Sequence, residues 1–557
     1  MSMGAVASRR WLGIAVCVAV MSGAGPGCAT DPAPRTFPDR AVAWQEHDSE
    51  DVPRPPRASE LGNLDSMLIA RDDLAGEVDR ALALEGARPA RDVNAADEVP
   101  CSAWFCPRNH LRPMTPEEIA AGPPGIPPQL PLRIVKGKDR GAALGFQVVD
   151  AAGRKYLLKL DPAGHLGMST AAEIAGTRFF HAAGYNVPAN FLLELDARDL
   201  TVDPDATFKL YGVQKRPLTA DLVRERLLRA ARTPDGRLRA VAVSWLPGKV
   251  LGAFDMKGRR TDDPNDRIGH EDRRSLRASW VVAAWLAVYD ESALNTLDAY
   301  VEESGRHFVR HYLIDFGAGL GSATTDIKGP ADAGQHSVEI GRSLASWLSL
   351  GLYRRHYQSQ RDAWAAGIAQ HPALGWIPAE DFDLEAFRTN RKVPAHKRLT
   401  DRDRYWGAKL VTSFTDEQLG AVVGAARLDP RDAAYLVRVL GVRRDIIGRT
   451  YLTAVTAVEA PAIADGQLCF DDLAIARGYA DASRVRYHLW VSDERGRLLG
   501  EATAPAQGAR SCLSGLNVAR GYRVIAIRAA PDGAQHLAKA SRIHVSNGRV
   551  VGLERDE

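Results

Sequence analysis

A chain of 557 residues, 45% hydrophobic and 25% charged, has the composition of a folded protein with room for two or three domains. Its formal net charge of +3 is small for that length and its Lys and Arg residues are dispersed, so no nucleic-acid partner is expected.

The first element in chain order is an export signal. Arg9 and Arg10 precede an apolar run from Trp11 to Met21, too short to cross a bilayer, and small residues from Ser22 to Gly27 lead to Cys28. Gly25-Pro-Gly-Cys28 resembles a bacterial lipobox, with Gly25 where Leu is usual. The resemblance implies that residues 1–27 are removed and that a lipid on Cys28 anchors the exported chain to a membrane, at the outer membrane or in the periplasm. Ordinary secretion and an uncleaved anchor remain open on the same residues. Ser8-Arg9-Arg10-Trp11-Leu12 has a loose likeness to a twin-Arg signal, although two positive charges suit any signal peptide. The cysteines agree with export. With Cys17 and Cys28 set aside, Cys101 and Cys106 fall in one region and Cys469 and Cys512 in another, so the simplest pairing is Cys101–Cys106 and Cys469–Cys512. His307 and His311 share a strand face and read as core or rim residues rather than metal ligands.

Residues 28–130 read as a lipid-anchored linker and N-terminal extension. From 29 to about 60 the chain is rich in Pro, Asp, Glu and Arg without periodicity, which predicts a solvated tether. A helix is expected over Ala58–Leu84, and a Pro-rich segment, Pro123–Pro131, leads into strands. Leu132–Val135, Phe146–Val149 and Lys155–Leu160 predict three antiparallel strands, the first two joined by Gly137-Lys-Asp-Arg-Gly141-Ala-Ala-Leu-Gly145. Gly137, Gly141 and Gly145 could lay backbone N–H groups over phosphates, and an ordinary β-meander explains them equally well.

Lys159 stands between apolar residues of the third strand, where a lysine is costly to bury without a partner. A helix is predicted over Thr170–Ala183, closed by Gly184, with Glu173 in its first turn. Glu173 either holds Lys159 or completes a capping box with Thr170. Strands follow at Phe191–Leu195 and Arg239–Leu246, with a helix over Leu222–Ala231 between them. Pro247-Gly248 and Gln214-Lys-Arg-Pro217 are both candidates for a crossing between two lobes. The mixed-charge run Gly258–Arg267 reads as a solvated loop, with substrate binding as the alternative.

A single helix over Glu271–Val288 is predicted from its apolar face, and it delivers the chain to Asp290 and Asn295. Ala299–Val301 and His307–Ile314 predict a hairpin turning at Glu303-Ser-Gly305 and ending at Asp315-Phe-Gly317. An Asp, an Asn five residues on, and a strand ending in Asp-Phe-Gly is the spacing phosphoryl transfer needs. The first Asp orients a nucleophile, and the other two hold metal on phosphates.

Lys159, Glu173, Asp290, Asn295 and Asp315-Phe-Gly317 in this order resemble the protein-kinase-like fold over residues 130–450. The atypical branches are the nearer likeness, such as HipA-type, phosphoinositide and secreted Golgi-type kinases. Gly-Arg-Arg-x-Asp-Asp-Pro-Asn-Asp and Asn-Thr-Leu-Asp also resemble an uncharacterised group of exported bacterial lipoproteins. The kinase likeness implies an α+β, bilobal domain over 131–452, with an antiparallel-sheet N-lobe and a mostly helical C-lobe, that uses ATP and Mg²⁺. It implies that Lys159 meets α/β-phosphates, Glu173 holds Lys159, Asp290 is the catalytic carboxylate, and Asn295 and Asp315 bind Mg²⁺. The chain departs from the family at three points. The glycine connection is not Gly-x-Gly-x-x-Gly, Val288-Tyr289 stands where His-Arg is usual, and no Ala-Pro-Glu closes an activation segment.

Helices are predicted over Ile340–Leu352, Asp403–Phe414, Thr415–Ala426 and Pro430–Leu440, with Thr415-Asp-Glu-Gln418 as a capping box. Trp347, Trp364, Trp376 and Trp406 read as packing aromatics. Over 453–557, Leu468–Phe470, Val485–Val491, Tyr522–Ile527 and Ser541–Val545 alternate with turns and predict a β-sandwich-like domain.

Three functions follow. The first is an exported phosphotransferase acting with ATP and Mg²⁺ on an unknown protein, lipid or small molecule. The second is an inactive pseudokinase serving as a surface or periplasmic binding or scaffold lipoprotein, which suits a compartment poor in ATP. The third is hydrolysis at a metal held by Asp290, Asn295 and Asp315 without nucleotide.

Overall fold

The computed structural model describes residues 35–59, 88–138, 143–210, 214–329, 347–349, 352, 361–531 and 537–557. Cys28, Gly141 and most of the helices expected over 58–84 and 340–352 lie outside them. The described chain is an α+β structure.

Seven strands form the first sheet: β1 (Leu132–Gly137), β2 (Gly145–Val149), β3 (Lys155–Leu160), β4 (Asn190–Leu195), β5 (Leu200–Leu210), β6 (Gln214–Pro217) and β7 (Leu238–Ser244). Their order is β4-β7-β3-β2-β1-β5-β6, and every neighbouring pair is antiparallel except β1 with β5. The period of two assigns the faces. Tyr156, Leu158 and Leu160 of β3 enter one apolar cluster, with Val223 and Leu227 of helix α3 (Ala220–Leu227); α1 is Pro116–Ala121 and α2 Met168–Ala183. Leu157 and Lys159 point to the other face, where Ala171 and Ile174 of α2 pack on Val241 and Val243.

Pro247-Gly248 carries the chain from β7 to the second sheet, β8 (Lys249–Gly252), β9 (Thr296–Glu303) and β10 (Arg306–Leu313), ordered β10-β9-β8. Gln214–Pro217 is instead β6, the edge strand of the first sheet. The β9–β10 hairpin turns at Ser304 and Gly305, both at positive φ, as predicted. Below it lie α4 (Ser279–Leu286), α5 (Asp401–Val411), α6 (Asp416–Ala425) and α7 (Pro430–Tyr451), which share one core with Phe179 and Phe180 of α2. Thr415 and Gln418 form the expected capping box, and α7 runs eleven residues past its predicted end.

The stretch read as one helix, Glu271–Val288, is broken into three: a 3₁₀ turn at His270–Asp272, a short helix at Arg274–Arg277, and α4. Charge causes the break. Arg273 is extended (φ −89°, ψ 124°), the carboxylate of Asp92 accepts from the backbone N–H groups of Arg274 and Ser275, and Arg274 and Arg277 both reach buried Asp403. Every residue of α4 is buried, so its apolar face was a full circumference and no guide to its length.

The tether expected over 29–60 is mostly exposed where it is described, but it is not free: Phe37, Asp48, Val52 and Pro56 are buried. Residues 35–59 form a strap along the body. Phe37 is buried on the C-terminal strands, Glu46 N–H donates to Cys101 at 2.8 Å, and Val52 N–H donates to His307 at 2.7 Å. Polar residues along the strap meet partners that no local pattern announces. The mixed-charge run Gly258–Arg267 is the clasp that holds it. Asp262 accepts from Arg57 N–H at 2.7 Å, Asn265 donates to the Glu50 carbonyl at 2.8 Å, and Arg260 bonds the Arg57 carbonyl. Asp263, Asn265 and Asp266 are buried, which a solvated loop would not allow.

Strands β11 (Val458–Ala464), β12 (Gln467–Asp472), β13 (Val485–Ser492), β14 (Leu498–Pro505), β15 (Arg510–Leu513), β16 (Tyr522–Pro531), β17 (Ser541–Ser546) and β18 (Arg549–Arg555) build two further sheets, β11-β12-β15 and β14-β13-β16-β17-β18. One apolar cluster joins them, with Leu468 and Phe470 against Tyr487, Ile527 and Ile543. The expected disulfides are both present, Cys101–Cys106 and Cys469–Cys512, the latter between residues directly opposed on β12 and β15. They are consistent with an exported, non-cytoplasmic protein. Among the described residues no helix is long and apolar enough to cross a membrane.

Candidate functional site

β3 aims Lys159 at α2, and α2 answers with Glu173: Nζ donates to Oε2 at 2.9 Å. The same ammonium donates to Asp315 Oδ1 at 2.8 Å, so one cation bridges a helix and a strand end 156 residues away. Glu173 is not a cap. The helix begins at Met168, and Thr170 lies inside it, where its N–H and hydroxyl donate to buried Asp161 at 2.8 and 2.7 Å.

Asp315 is brought there by a sharp change of direction after β10. It is left-handed (φ 64°), a conformation that Asp tolerates better than most residues. Phe316 then packs under α2 at Gly176 and stacks on Phe180 with ring centroids 4.7 Å apart. A Cβ on Gly317 would come within 2.9 Å of Ser169 Oγ and 3.3 Å of Glu173 Oε2, so the glycine admits the helix. The Asp-Phe-Gly triplet is therefore one turn residue, one packing residue and one gap.

On the other side of the site, the loop after α4 holds Asp290. Asn295 Nδ2 donates to the Asp290 carbonyl, which leaves its Oδ1 available. Asn390 N–H donates to the Tyr289 carbonyl at 2.6 Å and its side-chain amide approaches Asp290 Oδ1 at 3.5 Å. Lys328 lies over the Tyr289 ring, 3.5 Å from its centroid, and attracts the Asp290 carboxylate.

The charges are uneven. Lys159 is held above its ordinary value: burial opposes the charge, and Asp315 and Glu173 outweigh burial. Burial raises Glu173 despite Lys159, whereas Asp315, also disfavoured by burial, is drawn below the usual carboxylate range by Lys159 and Lys138. Asp290 is raised by burial and by Asp315, against the hydrogen bond from Asn295. Asp315 keeps 30% of its side chain exposed, against 2% for Glu173, so the carboxylate that retains its charge faces the opening.

The glycines divide. Gly145 stands opposite Lys159 in register, and a Cβ there would lie 2.5 Å from the Leu158 carbonyl. Gly137 packs against Phe208, its added Cβ 2.8 Å away. Lys138, overlooked as a candidate in its own right, passes over Gly145, with Cδ 3.5 Å from that absent Cβ. Its ammonium is within electrostatic reach of Asp315, Glu173 and Asp290, is lowered by burial, and makes no hydrogen bond or ion pair among the described residues. The strand pattern could have found Lys138. Nothing local marks Lys328 or Asn390, which arrive from 38 and 100 residues after Asp290.

The site thus gathers Lys138, Lys159, Glu173 and Asp315 at one wall and Asp290, Asn295, Asn390 and Lys328 at another. Such a set can bind anionic oxygens, hold a hard cation through carboxylate and amide oxygens, and accept a proton. Family models, curated proteins and solved structures were all compared with the chain, and none matches it.

Proposed function

We propose that the protein is an exported, lipid-anchored phosphotransferase of a bilobal, protein-kinase-like fold, taking ATP with Mg²⁺. The observation that carries this reading is the Lys159 bridge: a buried strand lysine bonded at once to a helix Glu and to the Asp of Asp-Phe-Gly. A lysine in that position costs free energy to bury, and a fold that only packed would be served as well by an apolar residue.

The residues fit a magnesium nucleotide. Lys138 is a half-buried cation that makes no hydrogen bond or ion pair among the described residues, Asp315 is a part-exposed carboxylate drawn below its ordinary range, and Asn295 spends its amide nitrogen on the Asp290 carbonyl. Asn295 and Asp315 would hold Mg²⁺, and Lys159 and Lys138 the phosphates. The metal, when bound, neutralises charge on the phosphoryl oxygens. Glu173 keeps Lys159 pointed into the site. Asp290, raised toward neutrality by burial, takes the proton of the acceptor hydroxyl, with Asn295 and Asn390 fixing its orientation.

An inactive pseudokinase, the same fold serving as a surface or periplasmic binding or scaffold lipoprotein, is the second reading. It is favoured by Gly137 and Gly145, whose packing against Phe208 and Leu158 accounts for both without any phosphate. ADP release by the purified ectodomain with Mg²⁺ and ATP, set against Asp315→Ala, separates the two. Turnover lost in the variant supports the enzyme. A wild type without turnover, and above all one that binds no nucleotide with or without Mg²⁺, removes the enzyme and leaves the scaffold.

A further inference from the structure

The described chain begins on the outer face of the five-stranded sheet. Phe37 lies against His544, ring centroids 4.8 Å apart, and over Gly552, where a Cβ would come within 2.4 Å of its ring. Its N–H donates to the Tyr522 hydroxyl at 2.8 Å, and Arg35 reaches Glu554 at 3.2 Å. His544 and Gly552 are opposed in register between the pairs whose Ile543 and Leu553 enter the core, so this contact is on the side away from the core. Cys28 precedes Arg35 by seven positions (35 − 28), a length that spans at most about 25 Å when fully extended.

Resting on the proposed lipidation of Cys28, we propose that this outer face is the surface by which the molecule docks on the leaflet holding its anchor. A tether that short keeps the start of the strap beside the membrane, and the strap is bonded to this face along its first residues. The face has the chemistry for an interface with anionic headgroups. Arg486, Arg528 and Arg542 alternate outward on neighbouring strands, with half-buried Trp490 stacked on His488 between them. A basic side chain near an anionic surface contributes about 1 kcal/mol, and Trp favours the headgroup level. The face carries four arginines, Arg35, Arg486, Arg528 and Arg542, against three acids: Glu554 pairs with Arg35, Asp556 meets both Arg528 and Arg542, and Glu501 stands opposite Trp490, which leaves the face one positive charge in excess.

The test uses the full-length protein, purified with its lipid and reconstituted in vesicles of phosphatidylethanolamine and phosphatidylglycerol carrying a headgroup quencher. A fluorophore at Thr503→Cys, on β14 opposite His488, reports the outer face, and one at Lys215→Cys, on exposed β6, reports a remote edge. Quenching several-fold stronger at position 503 than at 215 is expected. Equal quenching, or stronger quenching at 215, overturns the docking while leaving the anchor intact. Pro505→Cys, exposed on the same face opposite Arg486, keeps the comparison available if Thr503→Cys misfolds. Mass spectrometry of Cys28 separates the two premises: a thiol without acyl chains removes the anchor and overturns the proposal with it.

Discussion

Two of the clusters of buried charge among the described residues are built to opposite specifications. Around Asp97, carboxylate and guanidinium groups close on one another: Arg274 and Arg402 donate to Oδ1 at 2.8 and 2.7 Å, and Arg555 donates to Oδ2. Beside it, Lys409 is shared between Glu98 and Glu459. Around Lys159 the groups are incomplete. Asp315 is part-exposed, Lys138 has no partner among the described residues, and Asp290 sits raised by burial. A charge cluster that satisfies itself joins segments; one that leaves a cation unpaired and a carboxylate open is ready for a ligand. Burial is common to both, so residual valence is what distinguishes a site from a staple.

That contrast can be broken by mutation. Asp97→Ala takes the shared acid from three buried guanidinium groups, of which Arg274 keeps Asp403 and Arg555 keeps Glu459, and a loss of about 3–5 kcal/mol of stability is expected from denaturant unfolding. Removing Asp315 should cost far less stability, because Lys159 keeps Glu173. Comparable losses in the two variants would erase the distinction. The next effect is on binding. Lys138→Met should weaken ATP affinity about tenfold, roughly 1.4 kcal/mol, with the unfolding midpoint unchanged, since the ammonium has no partner to lose. Calorimetric titration of both proteins reads it.

The smallest effect is in pH, where Asp290 and the Asp97–Glu98 pair carry opposite signs. Burial opposes the charge of Asp97 and Glu98, but the arginines and Lys409 hold both well below their ordinary values. Their stabilisation is present above the usual carboxylate range and fades as pH falls below it. Asp290 is raised by burial, so its contribution is present at acid pH and is lost as pH rises through its folded value. Asp290→Asn should therefore be at least as stable as wild type at neutral pH and lose that advantage on acidification. Melting both proteins across pH 4–8 checks the sign.

Much of the candidate site was legible in the sequence, because strand and helix periods carry side-chain direction. A lysine at an inward position of β3 and a glutamate near the start of the following helix were bound to be considered together. The Asp-Phe-Gly triplet marked its own turn. Distant partners carried no such signal. The clasp Gly258–Arg267 looked solvated because its acids are matched by strap backbone two hundred residues earlier, and the helix expected over Glu271–Val288 breaks at arginines whose partners, Asp92 and Asp403, lie on either side in sequence. Asn390 reaches Asp290 across a similar gap.

Asp97 also sets an order of events. Its three arginines follow it by 177, 305 and 458 residues, and Arg555 is the third residue from the end of the chain. During synthesis the acid emerges first and its last partner emerges last. The N-terminal extension therefore cannot reach its final burial until Arg555 has been made, which makes closure of this fold slow and dependent on very distant contacts. Until then the extension needs solvent or a chaperone.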